Sequence, residues 1–155
     1  MRDVTLTVIG TVRNGRASAA DQGWGSVVST LEIAREFAAG LEGLEAFSHV
    51  IVLFYMHLDP DAEPATLVRR PRGRADMPAL GVFAQRGRMR PNPVGITCCE
   101  IVRAEPGALV VRGLDAVEGT PVLDVKPYFP AFDRRDGARV PDWVNRLMEG
   151  YFGER

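Results

Sequence analysis

Lysine is almost missing from this chain. Lys126 is the only one among nineteen basic residues, and the other eighteen are arginine. With that bias, arginine content by itself says little about a partner. Cysteine is as scarce: Cys98 and Cys99 are adjacent in an expected strand, so their side chains should point to opposite faces, which argues against a disulfide between them. With only His49 and His57 beside them and no CxxC spacing, they make a poor zinc set, and no metal is expected. No apolar run approaches the ~20 residues that cross a bilayer. The start, MRDVTLTVIG, lacks the basic opening and long apolar stretch of a signal peptide. The expectation is a cytoplasmic protein with no membrane association. No GxGxxG follows the first expected strand, which leaves a Rossmann-type site without support. A Ser-His-Asp order in persuasive context and a nucleophile elbow are also missing.

What is present is 155 residues, 46% hydrophobic and 25% charged. That is ordinary for a soluble globular protein and long enough for one domain with a real core. The net charge of −1 offers nucleic acid no global attraction, but the charge is uneven. Residues 69–90 hold Arg69, Arg70, Arg72, Arg74, Arg86, Arg88 and Arg90 against one acid, Asp76; the segment is +6 and the rest of the chain −7. Such a block is either a local phosphate-binding footprint or a solvated loop in an arginine-rich chain.

Apolar patterning predicts strands over 4–13, where apolar and polar residues alternate, and over 27–33, 80–84, 94–105, 108–117 and 120–128; the almost continuous apolar run 49–58 fits a strand buried on both faces or a long core strand. Glu105-Pro106-Gly107 reads as a hairpin turn between two of them. Residues 14–25 are small, polar and glycine-rich, hence a loop. A short helix is expected within 36–47, and another where Pro141-Asp142 opens DWVNRLMEG. Residues 59–79 form a proline- and arginine-rich excursion too long for a plain hairpin loop, and loops of that length are often functional. Six or seven strands against two short helices make the chain mainly β. A closed or nearly closed barrel would remove its exposed edges, with the strand order left open.

Two segments concentrate polar groups that a core does not need. In RMRPNPVG (88–95) both prolines fix φ and push Arg90 and Asn92 toward extended backbone, which predicts a stiff loop ending at Gly95. In GLDAVEGTPVLDVKPY (113–128), Asp124 and Lys126 lie two apart on a strand and so face the same side. Their pair is either a surface ion pair of little worth or a device that orients substrate. Tyr128, beyond a proline at the strand's end, is either a half-buried core ring or a stacking surface. His49 and His57 lie about 26 Å apart along one strand and cannot share a metal. His57, at the strand exit, is the better ligand candidate.

FSHVIVLFYMH, GVFAQRGRMRPNPVGI and GLDAVEGTPVLDVKPYFP, together with VIGTVR and the late VPDWV, resemble in order the signature run of the TrmO/TsaA-type family of S-adenosylmethionine-dependent tRNA methyltransferases. The resemblance spans nearly the whole chain. It implies a single-sheeted β-barrel, usually dimeric, as one domain over 1–155. It also implies methylation of N6 of threonylcarbamoyl-adenosine, 3′ of the anticodon, with the tRNA anticodon stem-loop as partner. Carried over residue by residue, it places His57, Arg86, Ile96, Leu114 and Asp115 around S-adenosyl-L-methionine. Gln22 and Trp24, which stand where bacterial members usually show Pro-Arg-Gln, join the cofactor-binding set. Asp124, Lys126, Tyr128 and Asn92 become the catalytic candidates, with Asp124 and then Tyr128 as proton acceptor. Arg69, Arg70, Arg72, Arg74, Arg88 and Arg90 become the RNA-facing candidates.

The chain departs from the family pattern in the first loop, AADQGWG, in Arg86-Gly87-Arg88, and in Glu118-Gly119-Thr120 where Asp-Gly-Thr is usual. The added carboxy-terminal domain of many bacterial members is expected to be missing. Two alternatives stay open: the same barrel acting on another RNA or a small molecule, and a non-catalytic module that holds S-adenosylmethionine or RNA. The intact DVKPY polar groups weigh against the second.

Overall fold

The computed structural model describes residues 3–58 and 66–153. Residues 59–65, the start of the excursion, lie outside the described residues. Six strands, β1 (Gly10–Arg13), β2 (Val28–Ile33), β3 (His49–Tyr55), β6 (Val94–Glu105), β7 (Ala108–Arg112) and β8 (Pro121–Pro127), close a barrel. The order around it is β1-β2-β7-β6-β3-β8, with every neighbouring pair antiparallel. Closure leaves the barrel no open edge. Two short strands in the excursion, β4 (Val68–Arg69) and β5 (Leu80–Gly81), pair with each other as a separate two-stranded sheet. Helices α1 (Pro130–Asp133) and α2 (Asp142–Met148) follow the last strand. The expected mainly-β, single-sheeted barrel with short helices is the fold observed. Among the described residues, no helix is long and apolar enough to cross a membrane.

Period-two alternation builds the wall. Along β3, Val50, Val52 and Phe54 point inward and are buried, while His49, Ile51, Leu53 and Tyr55 line the outer side. Along β6, Gly95, Thr97 and Cys99 point inward, and Ile96, Cys98 and Glu100 outward. Val12, Leu31, Leu109, Val111 and Val122 complete the interior. Gly95 faces the Phe54 ring so closely that a Cβ there would sit 2.3 Å from it, so this wall position needs glycine.

Antiparallel order has one consequence for function. The connections 14–27, 56–93 and 113–120 all emerge at the same end of the barrel. The opposite end carries residues 34–48, the Pro106-Gly107 turn and the exit of β8.

Several expected boundaries shift, and the strand expected over 49–58 ends at Tyr55. Only Gly10–Arg13 of the 4–13 segment enters the ladder, and Val4, Leu6 and Val8 alternate into solvent at 81%, 60% and 49% exposure. LGVFA has two strand residues and then a 3-10 turn over Val82–Ala84. The strand from Ala108 stops at Arg112, because Gly113 turns left-handed at φ +88°. The helix expected within 36–47 is two 3-10 segments, Arg35–Leu41 and Leu44–Ala46, with left-handed Gly43 ahead of the second.

Candidate functional site

The loop end gathers one set of candidates. Asp115 follows Leu114 as the chain leaves β7, and both its oxygens are engaged. Oδ1 accepts the Thr97 hydroxyl, and Oδ2 accepts the Tyr151 hydroxyl at 2.9 Å. Leu114 is buried. Trp24 is 1% exposed, with Nε1 donating to the Ala20 carbonyl and the Arg16 guanidinium 3.8 Å above its ring. Both side chains are therefore packed into the protein. Gln22 is exposed, and its carbonyl accepts the Arg16 guanidinium at 2.8 Å. His57 lies two residues past β3, with Nδ1 3.4 Å from the Thr120 hydroxyl.

Asn14 and Glu118 tie the first loop to the 113–120 loop. The Glu118 carboxylate accepts the amides of Gly15 (2.8 Å) and Asn14 (2.6 Å) as well as the Arg13 guanidinium. The Gly15 and Asn14 amides, more than the arginine, hold its carboxyl below the usual range. Asn14 Nδ2 in turn donates to the Ser29 hydroxyl and the Ala116 carbonyl.

A second set lies on the outer wall. The register places Ile96, Leu53 and Asp124 in one row across β6, β3 and β8, with Cys98, Ile51 and Lys126 in the next. Asp124 and Lys126 do face the same side and pair at 2.7 Å. Their side chains are 44% and 62% exposed, so the pair adds only ~0–1 kcal/mol to stability and is available to a ligand. Arg86 donates to the Ile96 carbonyl at 2.6 Å, and the Ile96 side chain is 48% exposed. Tyr128 lies past the far end of β8, edge-on to His49 at 6.3 Å. Seven strand residues put Tyr128 about 20 Å from the loop end, so one chain does not bring it to Asp115.

The arginine segment is internally engaged. Arg90 clamps its own loop: Nε donates to the Gly87 carbonyl, and one terminal nitrogen donates to the carbonyls of Val82 and Gln85. The stiffness of RMRPNPVG thus comes from this clamp as well as from its prolines. Arg70 donates to the Met77 carbonyl, Arg72 pairs with Asp21 at 3.0 Å, and Arg74 pairs with Asp76 at 2.7 Å. Asn92 remains exposed and lines an open groove of about 520 Å³ with Tyr55, Pro93, Leu123 and Val8. No cluster of three or more His, Cys, Asp or Glu able to hold a metal occurs among the described residues.

Sequence reading missed Asn14, Thr97 and Tyr151. Asn14-Gly15 directly after a strand was a usable turn signal. Nothing in the sequence links Tyr151 to a carboxylate 36 positions earlier.

A closed antiparallel barrel, with a polar loop cluster at one end and an accessible ion pair on its wall, defines a β-barrel domain of non-Rossmann type. The particular family follows from sequence: residues 15–134 match the tRNA-methyltransferase O N-terminal domain, and the chain belongs to that family. A Pyrococcus abyssi relative called a probable S-adenosyl-L-methionine-binding protein is 37% identical over 120 residues, covering 77% of this chain and 62% of the relative. The human tRNA (adenine(37)-N6)-methyltransferase is 39% identical over 101 residues, covering 65% of this chain and 22% of that protein. A crystal structure of TrmO superposes with a TM-score of 0.74 at 32% identity, over 90% of this chain and 64% of that one. The chain thus spans less than two thirds of the length of each.

Proposed function

We propose that this chain is an S-adenosylmethionine-dependent methyltransferase acting on N6 of an adenine in tRNA. The target we assign is threonylcarbamoyl-adenosine, 3′ of the anticodon. The observation that carries the reading is the family match over 15–134, which contains every candidate site residue from Gln22 to Tyr128.

The residues present fit the cofactor by chemistry. The exposed Arg86 suits its carboxylate, Asp115 suits a ribose hydroxyl or the ammonium group, and Ile96 offers an apolar surface for adenine. When bound, the cofactor supplies a methyl group on a positively charged sulfur. Transfer is an in-line displacement, so most of what the protein contributes is positioning. Asn92, on its clamped loop, holds the base edge. The target nitrogen must lose a proton, and Asp124, steadied by Lys126, accepts it, with Tyr128 the second candidate. Arg69, Arg70, Arg72, Arg74 and Arg88 face the RNA phosphates.

We further assign a cytoplasmic homodimer with sites near the subunit boundary. Two features support it. Tyr128 is remote from Asp115 within one chain, and Val4, Leu6, Val8 and Ile96 leave apolar surface uncovered. Calorimetric titration with S-adenosylmethionine tests the cofactor, and light scattering tests the dimer. No heat at millimolar cofactor refutes the first; a monomer at high micromolar protein refutes the second.

One observation favours a second reading, the same transfer to another RNA or a small acceptor. Arg70, Arg72, Arg74, Arg86 and Arg90 of the basic segment already have partners within the chain. Weak, salt-insensitive tRNA binding alongside tight cofactor binding would select it.

A further inference from the structure

The carboxy-terminal segment lies beyond the matched residues 15–134, yet it reaches back into the loop end of the barrel. The Gly23 amide donates to the Gly150 carbonyl at 3.2 Å, and the Trp24 amide to the Tyr151 carbonyl at 2.9 Å. Gly25 lies so close to the Phe152 carbonyl that a Cβ would come within 1.9 Å of it, so glycine is required for this seat. The backbone latch directs the Tyr151 side chain inward. Its hydroxyl donates to Asp115 Oδ2 at 2.9 Å, and the Arg72 guanidinium stands 5.3 Å from its ring while pairing with Asp21. Burial, and then the neighbouring Asp115 carboxylate, push the phenol well above its ordinary range. The hydroxyl therefore keeps its proton and donates at any working pH.

Asp115 has two O–H donors of different kinds. Thr97 rides on the rigid inner face of β6. Tyr151 comes from the carboxy-terminal segment, whose carbonyls accept the Gly23 and Trp24 amides of the first loop. Removing the second donor leaves the carboxylate held by the Thr97 hydroxyl alone. We infer that Tyr151 is a positioning residue that fixes the Asp115 carboxylate for the cofactor, so that the segment outside the family match completes the site. The inference rests on the function proposed above.

Tyr151→Phe keeps the backbone latch, the ring and the stack on Arg72, and removes only the hydroxyl. The test is a double-mutant cycle with Asp115→Asn, read as S-adenosylmethionine affinity by calorimetry and checked by thermal melting. Tyr151→Phe is expected to weaken cofactor binding about tenfold, equal to ~1.4 kcal/mol. Its KM for the cofactor should rise while kcat stays within about twofold. In the Asp115→Asn background the same change should cost no more than about twofold, since the group it positions is gone. A merely structural tyrosine would lower the melting temperature and weaken binding by the same factor in both backgrounds. Additive losses, or wild-type affinity in Tyr151→Phe, overturn the inference alone. A wild-type chain that binds no S-adenosylmethionine overturns the function and the inference together.

Discussion

Replacing Arg90 separates two roles for the arginines around RPNP. Its guanidinium donates to the carbonyls of Gly87, Val82 and Gln85, tying the Val82–Ala84 turn to the loop that carries Asn92. A hydrogen bond from a charged donor is worth ~1.5–3 kcal/mol, less where water reaches it. The Arg90 side chain is half-buried and the Val82 and Gln85 bonds are partly shielded, so Arg90→Ala should cost ~2–4 kcal/mol in all. For a chain of this size that lowers the melting temperature by about 5–15 °C. Arg90→Lys should recover little of it, because one ammonium cannot copy a planar fork across three carbonyls. The assay is differential scanning calorimetry, with tRNA affinity measured at two salt concentrations. A clamp predicts a lower melting temperature with an almost unchanged salt slope. A melting temperature within about 1 °C of wild type, together with a reduced salt slope, would refute the clamp and return Arg90 to the phosphate-binding set.

The other predictions concern the excursion, the stiff loop and acid stability. Arg69→Ala with Arg74→Ala leaves the Arg72–Tyr151 stack intact and should weaken tRNA binding, reducing its log–log salt slope by about 1–2 while cofactor affinity is unchanged. Asn92→Ala should lower the single-turnover methylation rate on the order of 10–100-fold and raise the tRNA Kd by less than about threefold, because misplacement penalises an in-line transfer steeply. Glu118 is held below its ordinary value of 4.5 in the folded chain, so its stabilisation is complete above that value and fades as pH falls through the lower folded one. Glu118→Gln should therefore melt below wild type at neutral pH, with the difference closing in acid. A gap that is constant with pH would contradict this.

Where the hydrophobic period had a single solution, the fold was legible. VGITCCEIVRAE is the β6 strand residue for residue, and β3 opens at His49 as expected but stops at Tyr55, three residues short of the expected 49–58; inward valines and a close-packed glycine leave one register. Periodicity failed where it could not know whether a partner strand was available. Val4, Leu6 and Val8 alternate as a strand should, but β1 meets β8 only at Gly10 and Thr11. The wall ion pair was legible because two residues on a strand must share a face. The Asp115 cluster was not. Its donors, Thr97 and Tyr151, come together only through barrel closure and the tail's return, neither of which leaves a local mark. Trp24 stands where the family usually shows Pro-Arg-Gln, but the fold packs it beneath Arg16.

The reaction proposed for this chain is methyl transfer to N6 of threonylcarbamoyl-adenosine in tRNA. The most direct measurement is mass spectrometry of nucleosides from tRNA that carries this base, after incubation with the purified chain and S-adenosylmethionine. Conversion of threonylcarbamoyl-adenosine to its N6-methyl form is expected, abolished or greatly slowed by Asn92→Ala. Unmodified nucleoside after prolonged incubation, with a chain that demonstrably binds both cofactor and tRNA, would contradict it.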